Sequence, residues 1–311
     1  MPSTPLQSVI VVVRPWDSWL VRTLRWQVGE AAVLRIGEVD ATPALDGLLP
    51  DLDPAAVDAV SWLRPDFVDP AGRLRGAVQA FLVLLDGHRI LVDPGIGEHK
   101  HREVVPAWTD LRTDFLARLR ATGTAPEDVD IVLTTHLHFD HVGWMTRSVD
   151  GRWRPTFPAA RHVICGDEFS YWAATPLGQL PDQHAGFADS VRPVADAGLV
   201  DLVADDHEVT GGVQLVPSPG HTPHHVSVLL ESGGSSALIT GDVVHHPCQL
   251  VHPEWGAASD ADPASARASR EQLIARCINT DTLVIGSHFP DPVAGHLRHH
   301  RGEVRLEPVA S

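Results

Sequence analysis

The chain has 311 residues, 43% of them hydrophobic, and carries a formal net charge of −16 from 40 acidic and 24 basic side chains. That length suffices for one large domain or two modest ones with a full core. So acidic a surface argues against nucleic acid and anionic membranes as partners, because both are bound mainly through Lys and Arg.

The chain opens on an arm, residues 1–25. Its valine-rich run at 9–13 is too short for a signal sequence, has no basic residue before it and ends at Arg14 and Asp17. It reads as a strand or arm whose apolar residues, with Trp16 and Trp19, offer a surface for a homodimer. One domain is expected over 26–311. Its first core strand lies in the apolar run 31–36. Residues 41–78, rich in Pro, Asp and Ala, read as loop with a short helix near 54–62. A hairpin follows: strand 80–85, the turn dipeptide Asp86-Gly87, and strand 89–92 ending in Asp93-Pro94-Gly95. Leu111, Phe115, Leu116 and Leu119 have helical spacing over 110–121, and 131–134 is a short buried strand. Further strands are expected at 161–165, 213–216, 226–230, 237–240 and 282–285, with helices near 166–173, 186–197 and 263–278. Strands alternating with helices give an α/β protein. His299 and His300 lie in a polar stretch and read as surface residues. No stretch has the length of a membrane span. Cys165, Cys248 and Cys277 are far apart, odd in number and without a CxxC pair. A reduced, cytoplasmic protein is expected.

The chemistry concentrates at strand ends. Thr134-Thr135-His136-Leu137-His138-Phe139-Asp140-His141 follows the strand at 131–134. Extended backbone sends His136 and His138 to one side, because side chains alternate with period two. Asp140 and His141 then sit on the turn beyond. Three more strand ends carry a ligand-type residue beside a Gly: Gly220-His221-Thr222-Pro223, Gly241-Asp242 and Gly286-Ser287-His288. Imidazole and carboxylate together suit zinc and similar divalent ions.

HxHxDH, then GHTP, then GD, then a late SH, in this order, resembles the signature of the metallo-β-lactamase superfamily, in particular the branch of N-acyl homoserine lactonases, methyl parathion hydrolase and glyoxalase II. The resemblance covers about residues 26–290. It implies an αββα sandwich of two mixed β-sheets flanked by helices. It also implies two divalent metal ions, with Zn2+ first and Mn, Fe or Co as alternatives. His136, His138 and His221 would hold one, Asp140, His141 and His288 the other, and Asp242 would bridge them. The expected activity is hydrolysis by a metal-activated hydroxide, with no Ser or Cys nucleophile.

The substrate is narrowed by what departs from the signature. Asp242 stands where the common one-Cys β-lactamases have Cys, and the acidic charge opposes a nuclease. Glyoxalase II adds a basic C-terminal helical region, whereas few residues follow His288 here and Lys100 is the sole lysine. The HxExDxH of flavodiiron proteins is absent. A small, neutral or apolar lactone or carboxylic ester is the expected substrate, with a phosphotriester or thioester as the alternative. An oxygenase or a binding protein without turnover stands further off. Residues 144–200, rich in aromatics, are expected to build the pocket, with Trp144, Phe157, Tyr171, Trp172, His246 and Phe289 as candidate lining residues and about half of the aromatics in the core. Asp140, Asp242 and His245 are the expected catalytic residues. His245 stands where homoserine lactonases have a Tyr, three residues after the bridging Asp. It is expected either to donate a proton or hydrogen bond, or to support the metal shell.

Overall fold

The computed structural model describes residues 18–176 and 179–311. The valine run and Trp16 of the arm lie outside the described residues, as does the side chain of Trp19, and with them the surface expected for a homodimer.

Two seven-stranded sheets form the centre. The first contains β1 (Arg25–Val28), β2 (Ala31–Asp40), β3 (Ala77–Leu85), β4 (His88–Val92) and β5 (Ile131–Leu133). A separate hairpin of β6 (Thr146–Val149) and β7 (Arg152–Pro155) intervenes before β8 (Arg161–Cys165) and β9 (Val200–Val203) complete it. The second sheet runs in chain order through β10 (Glu208–Thr210), β11 (Val213–Pro217), β12 (Val226–Ser232), β13 (Ser235–Ile239), β14 (Leu283–Ile285), β15 (Ala294–His300) and β16 (Glu303–Pro308). Both sheets are mixed. β4, β5, β8 and β9 are mutually parallel in the first, and β13 and β14 are parallel in the second. The helices are α1 (Ser18–Val21), α2 (Pro54–Ala59), α3 (Phe115–Ala121), α4 (Phe139–Val142), α5 (Gly166–Ala174), α6 (Pro181–Gly186), α7 (Arg192–Asp196), α8 (Cys248–Val251) and α9 (Pro263–Cys277). Among the described residues no helix is long and apolar enough to cross a membrane.

Alternation along the strands sorts the core into layers. Phe81, Val83, Ile90 and Val92 face Leu215, Val228, Ile239 and Ile285 between the sheets. Their neighbours Leu82, Leu91 and Val132 point the other way, against Phe115, Leu119 and Trp172 of the outer helices. On the far side, Leu238 and Val284 pack on Val57, Leu250 and Leu273. The result is the expected αββα sandwich. The hairpin turn also appears as expected, with Asp86 and Gly87 both at positive φ.

Four details differ from the sequence reading. The domain begins before residue 26, because Leu20 and Leu24 are buried and the Leu24 carbonyl accepts from Arg35 N. The helix expected over 110–121 begins only at Phe115, after Asp110 takes φ +51°. The helix expected over 186–197 is split by a π turn at Phe187–Val191. The polar C-terminal stretch forms the β15–β16 hairpin, with His299 and His300 exposed on it.

Parallel pairing decides where the site lies. β4 and β5 run in register, Val92 beside Leu133, so Asp93 emerges next to Thr134 and Thr135. Across the sandwich Ile239 of β13 lies beside Ile285 of β14, so the turns after both strands emerge together. All these ends open on one edge, the usual position for a site in parallel α/β sheets.

Candidate metal centre

His136, His138, His221 and Asp242 bring one ligand-type atom each within 4.8 Å of one another, and Asp140, His141 and His288 form a second such group. The two groups meet on Asp242. Its Oδ2 lies 3.3 Å from His221 Nε2 and 3.8 Å from His136 Nε2. Its Oδ1 lies 3.2 Å from both His141 Nε2 and His288 Nε2. Asp140 Oδ2 sits 3.8 Å and 3.7 Å from those same two nitrogens. All seven residues named from the sequence therefore converge, and all are buried except Asp140, which is half-buried.

The hydrogen bonds around the rings determine which nitrogens face inward. Thr135 donates its hydroxyl to Asp93 Oδ2, so its oxygen accepts from His136 Nδ1 at 3.0 Å. His141 Nδ1 donates to Asp93 Oδ2 at 3.1 Å, His288 Nδ1 to the Ala77 carbonyl at 2.8 Å, and His221 Nδ1 to Asp260 Oδ1 at 3.0 Å. Each of these four histidines thus spends its proton outward and turns a bare Nε2 inward. Two such bare atoms, of His141 and His288, stand 3.2 Å apart, and His221 Nε2 stands 2.9 Å from His138 Nδ1. His136 Nε2 is buried with no hydrogen-bond partner among the described residues. Lone pairs aimed at lone pairs in a buried site repel one another unless a cation lies between them, so the donor set fits divalent metal ions.

With no ion present, the electrostatics divide the histidines into two kinds. Burial pushes the pKa of His136, His138 and His221 well below the usual imidazole value, which keeps them neutral. Burial also opposes a charge on His141, but the field of Asp242, Asp140 and Asp93 more than reverses this and holds its pKa well above the usual value. Burial raises Asp242, yet His141, His288, His245 and His136 outweigh it and hold the carboxyl well below the usual range.

Two glycines shape the loops. Gly241 has φ +58°, and a Cβ there would collide with the His225 ring. Gly220 has φ +132° and presses against the backbone of Ala266 at the start of α9. Only glycine fits both demands.

His245 is buried beside Asp242, with Nε2 3.3 Å from Asp242 Oδ2 and its ring stacked on His288 at 5.8 Å. His246 points the other way: its Nε2 donates to the Phe67 carbonyl at 2.9 Å and its Nδ1 accepts from Cys248 N at 3.1 Å. Its place among the pocket residues is therefore corrected, because the bend into α8 turns its ring into the core, where both nitrogens are spent on backbone groups. Trp144, Phe157 and Phe289 are likewise core residues. Trp144 stacks on Phe115 at 5.3 Å and donates to Glu38, while Phe157 and Phe289 are fully buried in the outer layers. Trp172 is buried with its ring centroid 5.5 Å from that of His138 in an edge-to-face contact, and half-buried Tyr171 packs on Trp172.

Several residues of the site were not singled out from the sequence. Asp93, expected only as part of a turn, accepts from Thr135 N, Thr135 Oγ1 and His141 Nδ1. His225 receives Asp242 N on its Nε2 at 2.9 Å. Glu168, buried on α5, accepts from Leu137 N, Trp172 Nε1 and Thr222 Oγ1, and so joins the loop of His136 and His138 to the loop of His221. Asp260 backs His221.

Comparison with known proteins follows this geometry. Residues 73–288 match the family described as the metallo-beta-lactamase superfamily. An N-acyl homoserine lactonase of Bacillus cereus is 28% identical over 182 residues, which is 55% of this chain and 64% of that protein. The match thus spans less than two thirds of that relative's length. The N-acyl homoserine lactonase AttM of Azorhizobium caulinodans is 33% identical over 197 residues, covering 59% of this chain and 68% of the relative. Among solved structures, AidC, a dizinc quorum-quenching lactonase in complex with its product, superposes with a TM-score of 0.75 at 21% identity, over 93% of this chain and 98% of that one.

Proposed function

The chain belongs to the metallo-β-lactamase superfamily of metal-dependent hydrolases, and from that premise we propose that it is a two-metal hydrolase that opens a lactone or cleaves a related carboxylic ester. His136, His138 and His221 would hold one ion, Asp140, His141 and His288 the other, with Asp242 between them. The observation that carries this reading is the division of the Asp242 carboxylate, one oxygen toward each histidine group. Five histidines among the ligands favour zinc, and Mn, Fe and Co accept the same set. When bound, the two ions supply a water acidified toward neutral pH and polarise the scissile carbonyl.

The chain's own residues do the rest. Neutral His136, His138 and His221 keep lone pairs available at neutral pH. Asp242, whose carboxyl is held well below the usual range, and Asp140 beside it would offset positive charge in this largely buried site. His245, beside Asp242, is the group that would donate a proton to a leaving alkoxide or hydrogen-bond the substrate carbonyl. Trp172 packs its ring against His138 from the buried side, and half-buried Tyr171 beside it would offer apolar surface to a small neutral substrate. The likeness to proteins named N-acyl homoserine lactonases supports a lactone ahead of an open-chain ester.

The test is a substrate screen of metal-loaded enzyme against lactones, aryl and alkyl esters, thioesters and phosphotriesters. The expected result is highest kcat/KM on a lactone or carboxylic ester, abolished by chelation and restored by added divalent ion. Turnover confined to phosphotriesters or thioesters would overturn the reading.

A further inference from the structure

We propose that Asp260 and Arg270 act as one positioning pair that sets the metal-facing geometry of both His221 and Asp242. The proposal rests on the reading of these two residues as metal ligands.

The Asp260 side chain is fully buried, on the turn before α9, and its two oxygens are both engaged. Oδ1 accepts from His221 Nδ1 at 3.0 Å, and Oδ2 accepts from Ala257 N at 2.9 Å and faces Arg270 Nη2 at 3.6 Å. A carboxylate behind a ligating imidazole fixes the ring's tautomer and makes the opposite nitrogen a better donor. An isolated buried carboxylate would be costly, and Arg270, itself fully buried on α9, supplies the compensating charge.

Arg270 does more than neutralise. Its Nε donates to the Val243 carbonyl at 3.0 Å and its Nη1 to the Pro253 carbonyl at 3.0 Å. Val243 directly follows Asp242, so one guanidinium reaches the backbone beside Asp242 and the carboxylate behind His221. Lys has no forked, planar donor set to do this.

The backbone around the pair is equally tied. Ala261 N donates to the His221 carbonyl at 3.0 Å, Asp262 N to the Gly220 carbonyl at 2.9 Å, and Ser269 Oγ to the Pro219 carbonyl at 2.6 Å. Helix α9 therefore docks on the whole loop that presents His221. A displacement of α9 would move ligand groups from two different strand ends together.

The test compares wild type with Asp260→Asn and Arg270→Lys. The readouts are metal dissociation constants by chelator competition, the visible spectrum of the Co(II)-substituted protein, and the melting temperature of the metal-free protein. Asp260→Asn is expected to weaken retention of the more loosely held ion by about 10–100-fold and to shift the Co(II) bands. Arg270→Lys, which keeps the charge but loses the fork, is expected to shift them in the same direction by less, and it serves alone if Asp260→Asn does not fold. Wild-type affinity and spectrum in both variants, with only the metal-free melting temperature lowered, would overturn the pairing and leave the metal centre standing. Wild type that takes up no divalent ion would overturn the metal-centre reading itself and the pairing with it.

Discussion

His245 Nε2 lies 3.3 Å from Oδ2 of Asp242, and its other nitrogen, Nδ1, is buried with no hydrogen-bond partner among the described residues. The proposed function uses this ring, held beside the central carboxylate, as the group that acts on the substrate. His245→Phe is therefore expected to keep the metals and lower kcat by about 10²–10⁴-fold on substrates with alkoxide leaving groups. The loss should shrink for nitrophenyl esters, whose leaving group needs no proton. Steady-state kinetics on matched alkyl and aryl esters check this. Equal losses on both would leave His245 only a substrate-positioning part.

Asp242→Ala removes the one carboxylate among the described residues that faces both histidine groups. Metal content after dialysis is expected to fall for both ions, and turnover to drop by several orders of magnitude. The buried histidines left facing each other would then repel without compensation, so the variant should also melt earlier than metal-loaded wild type. Elemental analysis and calorimetry check the two parts separately.

Glu168 takes three donors from three elements of the site. Glu168→Ala strips all of them of their acceptor. An unsatisfied buried donor costs about 1–3 kcal/mol, so a loss of roughly 3 kcal/mol or more in chemical denaturation is expected. Glu168→Gln should lose much less, because its carbonyl can still serve Leu137 N and Trp172 Nε1 while the Thr222 hydroxyl turns to accept from the amide.

Glu38 gives a pH dependence away from the ligands. Burial raises its carboxyl to about 7 despite hydrogen bonds from Ile96 N, Trp144 Nε1 and Gly97 N. An acid whose pKa rises on folding favours the folded state below its unfolded value, here near 4.5, and that contribution is lost as the pH climbs through about 7. The stability of wild type relative to Glu38→Gln, which does not titrate, should therefore fall by about 3 kcal/mol across this window. Denaturation curves at closely spaced pH values check the sign. A relative stability that rises with pH would contradict it.

The seven converging side chains were legible because each one stands just past an apolar strand beside chemistry-bearing neighbours, and parallel pairing then gathers such ends on one edge. The same logic failed for the residues that hold them. Asp93 reads as half of a turn and Glu168 as an ordinary helix acid, since nothing local distinguishes a buried carboxylate from a solvated one. Asp260 and Arg270 are ten residues apart and meet His221 and Val243 only through the packing of α9. Aromatic density misled in its own way. Trp144 and Phe157 gave the stretch after Asp140 the look of a pocket wall, but they fill the layer outside the first sheet. The β15–β16 hairpin escaped because an edge hairpin with one wet face carries His299, His300 and Arg301 at its tip, and no apolar alternation marks it there.

The central claim is that Asp242 stands between two metal positions, and counting the ions tests it most directly. Protein purified without chelator, then dialysed against metal-free buffer, should retain close to two divalent ions per chain by elemental analysis, and Asp242→Ala close to none. One ion per chain in wild type, with the same single ion kept by Asp242→Ala, would contradict the account.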